Sequence, residues 1–301
     1  MMGRLERILN KADNFKESER FEEAIRELIK ALKIAPHDPD VYLSFALTYD
    51  AMEEFETAVA YFKKALELGP KDCYILTQFG ITLGRMGRYS DALTVFEGAL
   101  TIEPSYVVAK WNLALTLRAI GCYEDALSEF MQCIRTDMDS DYIKSEVHYQ
   151  IGLCYFDMGW APEALREFNK QVEIFPDDIW AHLSIGNCYL DCGWVDESIN
   201  KYKEIVSACP DFVPAYNSLA LSLAEKGWYD EALDVLRGAL EYAPEDESIK
   251  DNIDYIQSLR DDENGFKGII TYCLINQILK RKHSLKNSLN FSWVMTRITQ
   301  K

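Results

Sequence analysis

The chain has 301 residues, and its 49 acidic side chains against 32 lysines and arginines give a net charge of −17 at pH 7. Residues 1–260 carry −21 and the remaining tail carries +4, so the body of the chain would repel a phosphate backbone, which disfavours a nucleic-acid partner. No apolar run reaches the ~20 residues that a transmembrane helix requires.

Prolines mark a repeat with a period of 34 residues: Pro36, Pro70 and Pro104, then Pro176, Pro210 and Pro244. The 72 residues between Pro104 and Pro176 leave room for one repeat that lacks its proline and carries four extra residues. A period of this length predicts a solenoid of stacked units, which presents a binding surface. Alignment on the prolines gives seven windows, 5–38, 39–72, 73–106, 107–140, 145–178, 179–212 and 213–246.

Each window predicts two helices joined by a turn. Positions 8 and 20 of the windows hold only Ala, Gly or Ser, which lets two helix backbones approach closely. Position 24 holds a large side chain, from Leu28 in the first window to Leu236 in the last. Position 15 is glycine in the last five windows, as expected for a left-handed residue that ends a helix, and the proline at position 32 ends the second helix.

This pattern resembles the tetratricopeptide repeat, and the second window shows it most fully. Its matching residues are Tyr42, Phe45, Ala46, Tyr49, Ala58, Phe62, Ala65 and Pro70. The resemblance covers residues 5–260 and implies an all-α, right-handed superhelix, an α-solenoid of seven helical hairpins. It also implies a scaffold or adaptor that binds protein or peptide partners.

Residues 247–260 predict a capping helix, because Ile249, Ile253 and Ile256 form one apolar stripe. The tail, residues 261–301, contains an uncharged stretch followed by Lys280-Arg281-Lys282. It is open to three interpretations: a helix docked on the cap, a loosely ordered segment, or a basic amphipathic helix at an anionic membrane or in an acidic groove. A hinge is expected at residues 141–144.

The sequence contains no catalytic or cofactor motif, and we therefore expect no enzyme activity, cofactor or metal. Cys188 and Cys192 could share a metal with His182, but a zinc site needs four ligands, and the two are interpreted as small core or edge cysteines. His148 and His182 occupy a packing position and are interpreted as structural. Charged residues throughout 1–20 indicate no signal peptide, so reduced cysteines in the cytoplasm are expected.

The tetratricopeptide resemblance implies that positions 2, 5, 9, 12 and 13 of the first helices line a concave groove. These positions are rich in apolar and aromatic residues here, and two arginines stand among them. The predicted peptide-binding groove comprises Leu43, Leu47, Tyr74, Arg85, Trp111, Leu115, Arg118, Tyr149, Phe156, Trp180, Leu183 and Asn187.

Two interpretations of this set remain open. In the first, exposed Trp111 and Trp180 anchor an apolar or amphipathic segment, and Arg85 and Arg118 bind its carboxylate. In the second, the side chains are buried between repeats and the arginines pair with Asp50 or Asp157.

The residues at these positions can be compared with the binding sites that the tetratricopeptide family uses. Positions 2 and 6 hold no Lys or Arg, so the clamp that binds the C-terminal carboxylate of Hsp70 or Hsp90 chaperones is not expected. Two alternatives to a scaffold are a substrate-recruiting subunit of an enzyme such as a glycosyltransferase, and a membrane-assembly factor tethered by the tail.

A second surface is expected at position 16, in the turn between the two helices. This position is tryptophan in the last three windows, Trp160, Trp194 and Trp228, which we call the turn tryptophans. Trp160 and Trp194 could fill the aromatic slot that Ala161 and Val195 leave empty at position 17. Because Tyr229 already fills that slot, Trp228 is predicted to centre a contact surface for self-association or for docking the tail.

Overall fold

A computed structural model describes residues 2–69, 72–135 and 141–261. The described part of the chain contains fifteen α-helices and no strand, which confirms the all-α class. The uncharged and basic stretches of the tail, together with Pro70 and Met138, lie outside the described residues.

Each window contains a pair of consecutive helices that pack on each other. In chain order the pairs are α1 (Met2–Glu17) and α2 (Phe21–Ile34), α3 (Pro39–Ala51) and α4 (Phe55–Leu68), α5 (Cys73–Arg85) and α6 (Tyr89–Ile102), α7 (Val107–Ala119) and α8 (Tyr123–Arg135), α9 (Asp141–Asp157) and α10 (Ala161–Ile174), α11 (Ile179–Asp191) and α12 (Val195–Ala208), and α13 (Val213–Glu225) and α14 (Tyr229–Ala239). The helix α15 (Glu247–Asp261) follows them.

Small residues on the first helix accept large residues from the second, as the sequence pattern requires. A Cβ atom added to Gly80 would lie 2.5 Å from the ring of Phe96, and one added to Gly186 would lie 2.5 Å from the ring of Tyr202. Both rings are buried, so neither can move aside into solvent. The close approach of the two helices in these hairpins therefore depends on the missing side chain.

The turn between the two helices of a hairpin contains one residue in the left-handed conformation. Glycine occupies it in hairpins three to seven, with φ between 73° and 85°. In the first two hairpins Glu19 and Glu53 adopt φ of 57° and 62°. The turn geometry is thus the same whether or not the sequence supplies glycine, and the two glutamates bear its conformational cost.

Gly121→Ala is expected to destabilise the chain by about 1 kcal/mol, because φ is 85° at this position and alanine disfavours that conformation. Gly98→Ala is the matched control, since Gly98 lies inside α6 and neither glycine has an atom within 4 Å of its missing Cβ. The control should gain up to about 1 kcal/mol of helix propensity. Urea denaturation measures the free energy of unfolding of both variants. A change of the same sign in the two variants would contradict the left-handed conformation at Gly121.

The described chain divides into two compact units, with the boundary between Ile143 and Lys144. The first unit contains hairpins one to four, and the second contains hairpins five to seven with α15. The four extra residues, 141–144, are helical and lengthen α9 to 17 residues, compared with 13 in α7. The residues at which the hinge is expected are therefore the first residues of α9, and the hinge itself stays a prediction.

The predicted cap covers the end of the second unit. Ile249 and Ile256 of α15 are buried in the same cluster as Leu219, Leu233 and Leu236, and Ile253 packs against that cluster. Without α15 these leucines of α13 and α14 would lose their cover, so the apolar stripe acts as the sequence predicts.

Candidate functional site

In the first unit, the predicted groove residues fall into an accessible group and a buried group. Leu43, Leu47 and Tyr74 are partly exposed on α3 and α5. On α7, by contrast, Trp111, Leu115 and Arg118 are buried.

Among the predicted groove residues, Trp111 differs most from its expected exposure. Its side chain is only 1% exposed, and its ring packs edge-on against Phe130 at a centroid distance of 5.2 Å. The expectation of an exposed Trp111 is therefore wrong. Position 5 faces the partner helix α8 in this hairpin, where the large indole packs on Phe130.

Arg85 follows the second of the two interpretations, because it is paired with Asp50. The Nη1 atom of Arg85 donates to the carboxylate and, at 3.1 Å, to the backbone oxygen of Asp50. Thr82 donates to the same carboxylate at 2.8 Å, and the guanidinium lies 4.7 Å from the centre of the Phe55 ring. The Arg85 side chain is 8% exposed, so this interaction joins α3 to α5 and leaves little of the cation for a ligand.

The charge that this unit presents near position 2 is negative. Burial raises the pKa of Asp40, and the nearby carboxylates of Asp38 and Asp72 raise it further. Burial likewise raises the pKa of Tyr74, with contributions from Asp13 and Asp72. With Arg118 buried and Arg85 paired, the expected pair of arginines for a ligand carboxylate is not displayed.

In the second unit, Trp180 is the accessible aromatic residue of the predicted set. It is 45% exposed at the start of α11, and its ring meets that of Phe212 edge-on at 5.0 Å. Tyr149 and Phe156 of α9 are partly buried against the cluster around Phe168. The contact with Phe212 fixes the orientation of an indole that otherwise faces solvent, as in a binding anchor.

Two further members of the predicted set have structural contacts. Leu183 is buried, and Asn187 accepts a 2.7 Å hydrogen bond from the hydroxyl of Tyr202. Burial raises the pKa of Tyr202 strongly, so this hydroxyl remains a donor at physiological pH. Asn187 thereby ties α11 to α12.

Sequence reasoning missed Glu146, which stands at position 2 of hairpin five, one hairpin before Trp180. Burial raises the pKa of its carboxyl to about 7, and repulsion from Asp178 adds to the effect. Asp178 is held by Gln171, whose amide donates at 2.9 Å, and by the backbone of Ala181. In the sequence, position 2 is notable only because it lacks basic residues. No local pattern indicates that a glutamate at this position is shielded from water.

Glu146→Gln is expected to stabilise the chain by about 3 kcal/mol at pH 8, taking 1.4 kcal/mol per pKa unit. A pKa raised from 4.5 to about 7 means that the folded state binds the proton more tightly. The contribution of Glu146 to the stability of the wild type is therefore greatest below pH 4.5 and falls as the pH rises to about 7. Chemical denaturation across this range should show that the free energies of unfolding of Glu146→Gln and the wild type diverge as the pH rises.

Glu173→Gln, at an exposed glutamate of the same hairpin, is the control and should stay within about 0.5 kcal/mol of the wild type at every pH. If Glu146→Gln follows the control, the carboxyl of Glu146 is solvated in solution.

The turn tryptophans are all about half exposed. Trp160, Trp194 and Trp228 are 50%, 49% and 45% accessible, and each is the residue that precedes the second helix. Trp160 stacks on Tyr155 at 6.0 Å and Trp194 packs on Tyr189 at 5.9 Å. Lys226 lies over the ring of Trp228 at 5.2 Å. None of these three indoles is buried in the core.

Four cysteine and histidine side chains are buried or make contacts within the fold. Burial raises the pKa of the Cys133 thiol to about 12 and that of Cys73 to about 11, which suppresses the reactive thiolate. His148 contacts the carboxylate of Glu167 at 2.8 Å, and His182 contacts the backbone oxygen of Pro176 at 2.8 Å. Within the described ranges no three His, Cys, Asp or Glu side chains form a metal-binding group.

Among the described helices, none combines the length and the apolar character that crossing a membrane demands.

Models of the tetratricopeptide repeat match residues 16–75, 77–143, and both 145–178 and 213–246. Together these segments cover more than half of the chain. Comparison with curated protein sequences gave no match.

Solved structures with a similar fold have low sequence identity to the chain. A tetratricopeptide repeat protein from Parabacteroides merdae is 15% identical with a TM-score of 0.64, over 84% of this chain and 98% of that one. The C-terminal part of a TPR repeat-containing protein from Cytophaga hutchinsonii is 15% identical with a TM-score of 0.63, over 81% and 99%. PilF of Pseudomonas aeruginosa is 16% identical with a TM-score of 0.58, over 70% and 94%. These similarities establish the fold.

Proposed function

The chain belongs to the tetratricopeptide repeat family, a fold that generally binds proteins, and we propose that it is a non-catalytic scaffold for an apolar or amphipathic segment of a partner protein. The segment lies along the first helices of the second unit, where Trp180 is exposed. No residue is assigned a catalytic role.

Trp180 is the observation that carries this proposal. Its indole is 45% exposed, and the edge-on contact with Phe212 fixes its orientation before a ligand arrives. An oriented aromatic side chain loses little conformational entropy on binding, which is why such residues dominate the energy of many interfaces.

The charge near Trp180 determines what else the segment should contain. Glu146 stands at position 2 in hairpin five, one hairpin before Trp180. Because Arg85 is paired with Asp50 and Arg118 is buried, we assign the ligand lysine or arginine side chains in place of the carboxylate expected from the sequence.

Selection of a random peptide library displayed on phage against the full chain tests the proposal. Enriched peptides should combine large apolar residues with lysine or arginine. Trp180→Ala should weaken a selected peptide about 30-fold, the ratio that corresponds to a loss of 2 kcal/mol.

Trp228→Ala is the matched control, since both indoles are 45% exposed and both belong to the second unit. The control should leave the Kd within about twofold. Enrichment of peptides without a large apolar residue, or equal effects of the two variants, would refute binding at Trp180.

A further inference from the structure

Hairpin six differs from the four hairpins before it at two positions that contact each other. In hairpins two to five, position 9 of the first helix is leucine or isoleucine and position 24 of the second helix is phenylalanine. In hairpin six these positions hold Asn187 and Tyr202, and the Tyr202 hydroxyl donates to Oδ1 of Asn187 at 2.7 Å. Four hairpins form without this polar pair, so the pair is not needed to build a hairpin.

The ring of Tyr202 lies where the other hairpins place a phenylalanine. A Cβ atom added to Gly186 would lie 2.5 Å from Cε1 of Tyr202, and one added to Gly152 would lie 2.6 Å from Cε1 of Phe168. Tyr202 is fully buried, and its hydroxyl is the feature that the phenylalanines lack. The hydroxyl therefore reaches from α12 to Asn187, a predicted groove residue, while the packing of the ring stays the same.

The contact with Tyr202 determines which end of the Asn187 amide faces solvent. Burial raises the pKa of Tyr202, and hydrogen bonds from Ser218 and Ser198 act in the opposite direction, as donors to a phenol oxygen do. The single phenol proton is then left for Oδ1 of Asn187. The Nδ2 group of Asn187 has no acceptor in the described chain and is open to solvent. Asn187 thus presents an oriented donor.

This donor lies in apolar surroundings on the first helices of the second unit. Position 9 is Leu153 in the preceding hairpin and Leu221 in the following one, and both are partly exposed. Trp180 comes seven residues before Asn187, so the two lie on one face of α11, about 10 Å apart along its axis. A segment that covers Trp180 therefore passes close to the amide.

The charge beside the donor selects a neutral acceptor. Asp191 follows Asn187 by one turn of α11, and its negative charge adds to the effect of burial in raising the pKa of Tyr202. The same charge would repel a ligand carboxylate at this point. Every residue of a peptide carries a neutral acceptor, its backbone carbonyl, but in a helical segment that carbonyl is already bonded within the helix.

We propose that Asn187 donates to a backbone carbonyl of an extended partner segment, and that Tyr202 is the positioning residue that orients the amide. The proposal rests on the proposed function, which places the segment on Trp180. An extended chain advances about 3.3 Å per residue, so the carbonyl belongs to a residue about three positions from the side chain that contacts Trp180.

The first test uses a peptide selected on the full chain, in which each backbone carbonyl oxygen is replaced in turn by sulfur, a weaker acceptor. One replacement should weaken binding about fivefold, the ratio expected for one neutral hydrogen bond. The same replacement should have no effect on binding to the double variant Asn187→Leu and Tyr202→Phe. Equal losses in the two proteins, or no sensitive carbonyl, would overturn the proposal. An invariant asparagine or glutamine in the selected peptides would assign the acceptor to a side chain and overturn the backbone contact.

The double variant also separates binding from stability. It gives hairpin six the residue types of hairpins two to five, so its urea midpoint should match that of the wild type. Its affinity for the unmodified peptide should fall about fivefold. Tyr202→Phe changes no atom that a ligand can contact, yet should weaken binding about threefold because the Asn187 amide can then rotate. In the Asn187→Leu background, the same change should leave the Kd unaltered, and a loss there would refute positioning by Tyr202.

Trp180→Ala distinguishes this proposal from the proposed function. If Trp180→Ala weakens binding of the peptide while the double variant binds it as tightly as the wild type, the scaffold function stands and the role of Asn187 is wrong. If Trp180→Ala has no effect, binding at Trp180 is refuted and the contact with Asn187 is refuted with it.

Discussion

Trp111→Ala is expected to lower the free energy of unfolding by about 3–5 kcal/mol, the cost of removing a buried aromatic side chain. Trp111 is 1% exposed and packs on Phe130, so the substitution leaves a cavity between α7 and α8. Trp180→Ala removes the same side chain from a half-exposed position and should cost about 1 kcal/mol. Urea denaturation of the two variants measures the difference directly.

The same pair separates stability from binding. Trp180→Ala should weaken a selected peptide while the fold persists, and Trp111→Ala should affect binding only through loss of folded protein. If Trp111→Ala is as stable as the wild type, the indole is not a core residue in solution and the sequence-based assignment to the groove regains its support.

Arg85→Ala is expected to lower the free energy of unfolding by about 3–5 kcal/mol, because it leaves the desolvated carboxylate of Asp50 without its cation. Burial raises the pKa of Asp50 even with Arg85 beside it, so desolvation already outweighs the attraction of the pair. Arg88→Ala in the same turn is the control. Its pair with Asp91 is exposed, and the loss should stay within about 0.5 kcal/mol.

Replacing both partners should restore most of the loss. In the double variant Arg85→Met and Asp50→Leu no buried charge remains, and the Thr82 hydroxyl retains its 3.2 Å hydrogen bond to the backbone oxygen of Gln78. Stability within about 1 kcal/mol of the wild type is expected by chemical denaturation. A double variant as unstable as Arg85→Ala would mean that the stacking of Arg85 on Phe55 is the main contribution.

The hairpins could be predicted because their determinants are local and periodic. Proline spacing, the small residues at positions 8 and 20 and the glycines at position 15 each act within one hairpin. The left-handed turns at Glu19 and Glu53 lacked that signal, since nothing in a lone glutamate indicates a positive φ.

Exposure within the candidate groove could not be predicted in the same way. Trp111 and Trp180 are both tryptophans of a first helix, yet the first stands at position 5 and packs on its partner helix, and the second stands at position 2. Whether Arg85 meets a ligand or Asp50 depends on a contact between residues 35 apart in sequence. Such contacts depend on how neighbouring hairpins pack, which the repeat period alone does not specify.

The acids that end α11 and α13 make the second unit sensitive to ionic strength. Burial raises the pKa of Glu225, and the charge of Asp191 raises it further. Mobile counterions screen charges more than about 10 Å apart at 0.1 M salt. Added salt should therefore weaken the repulsion between these two acids and stabilise the hairpins that carry them.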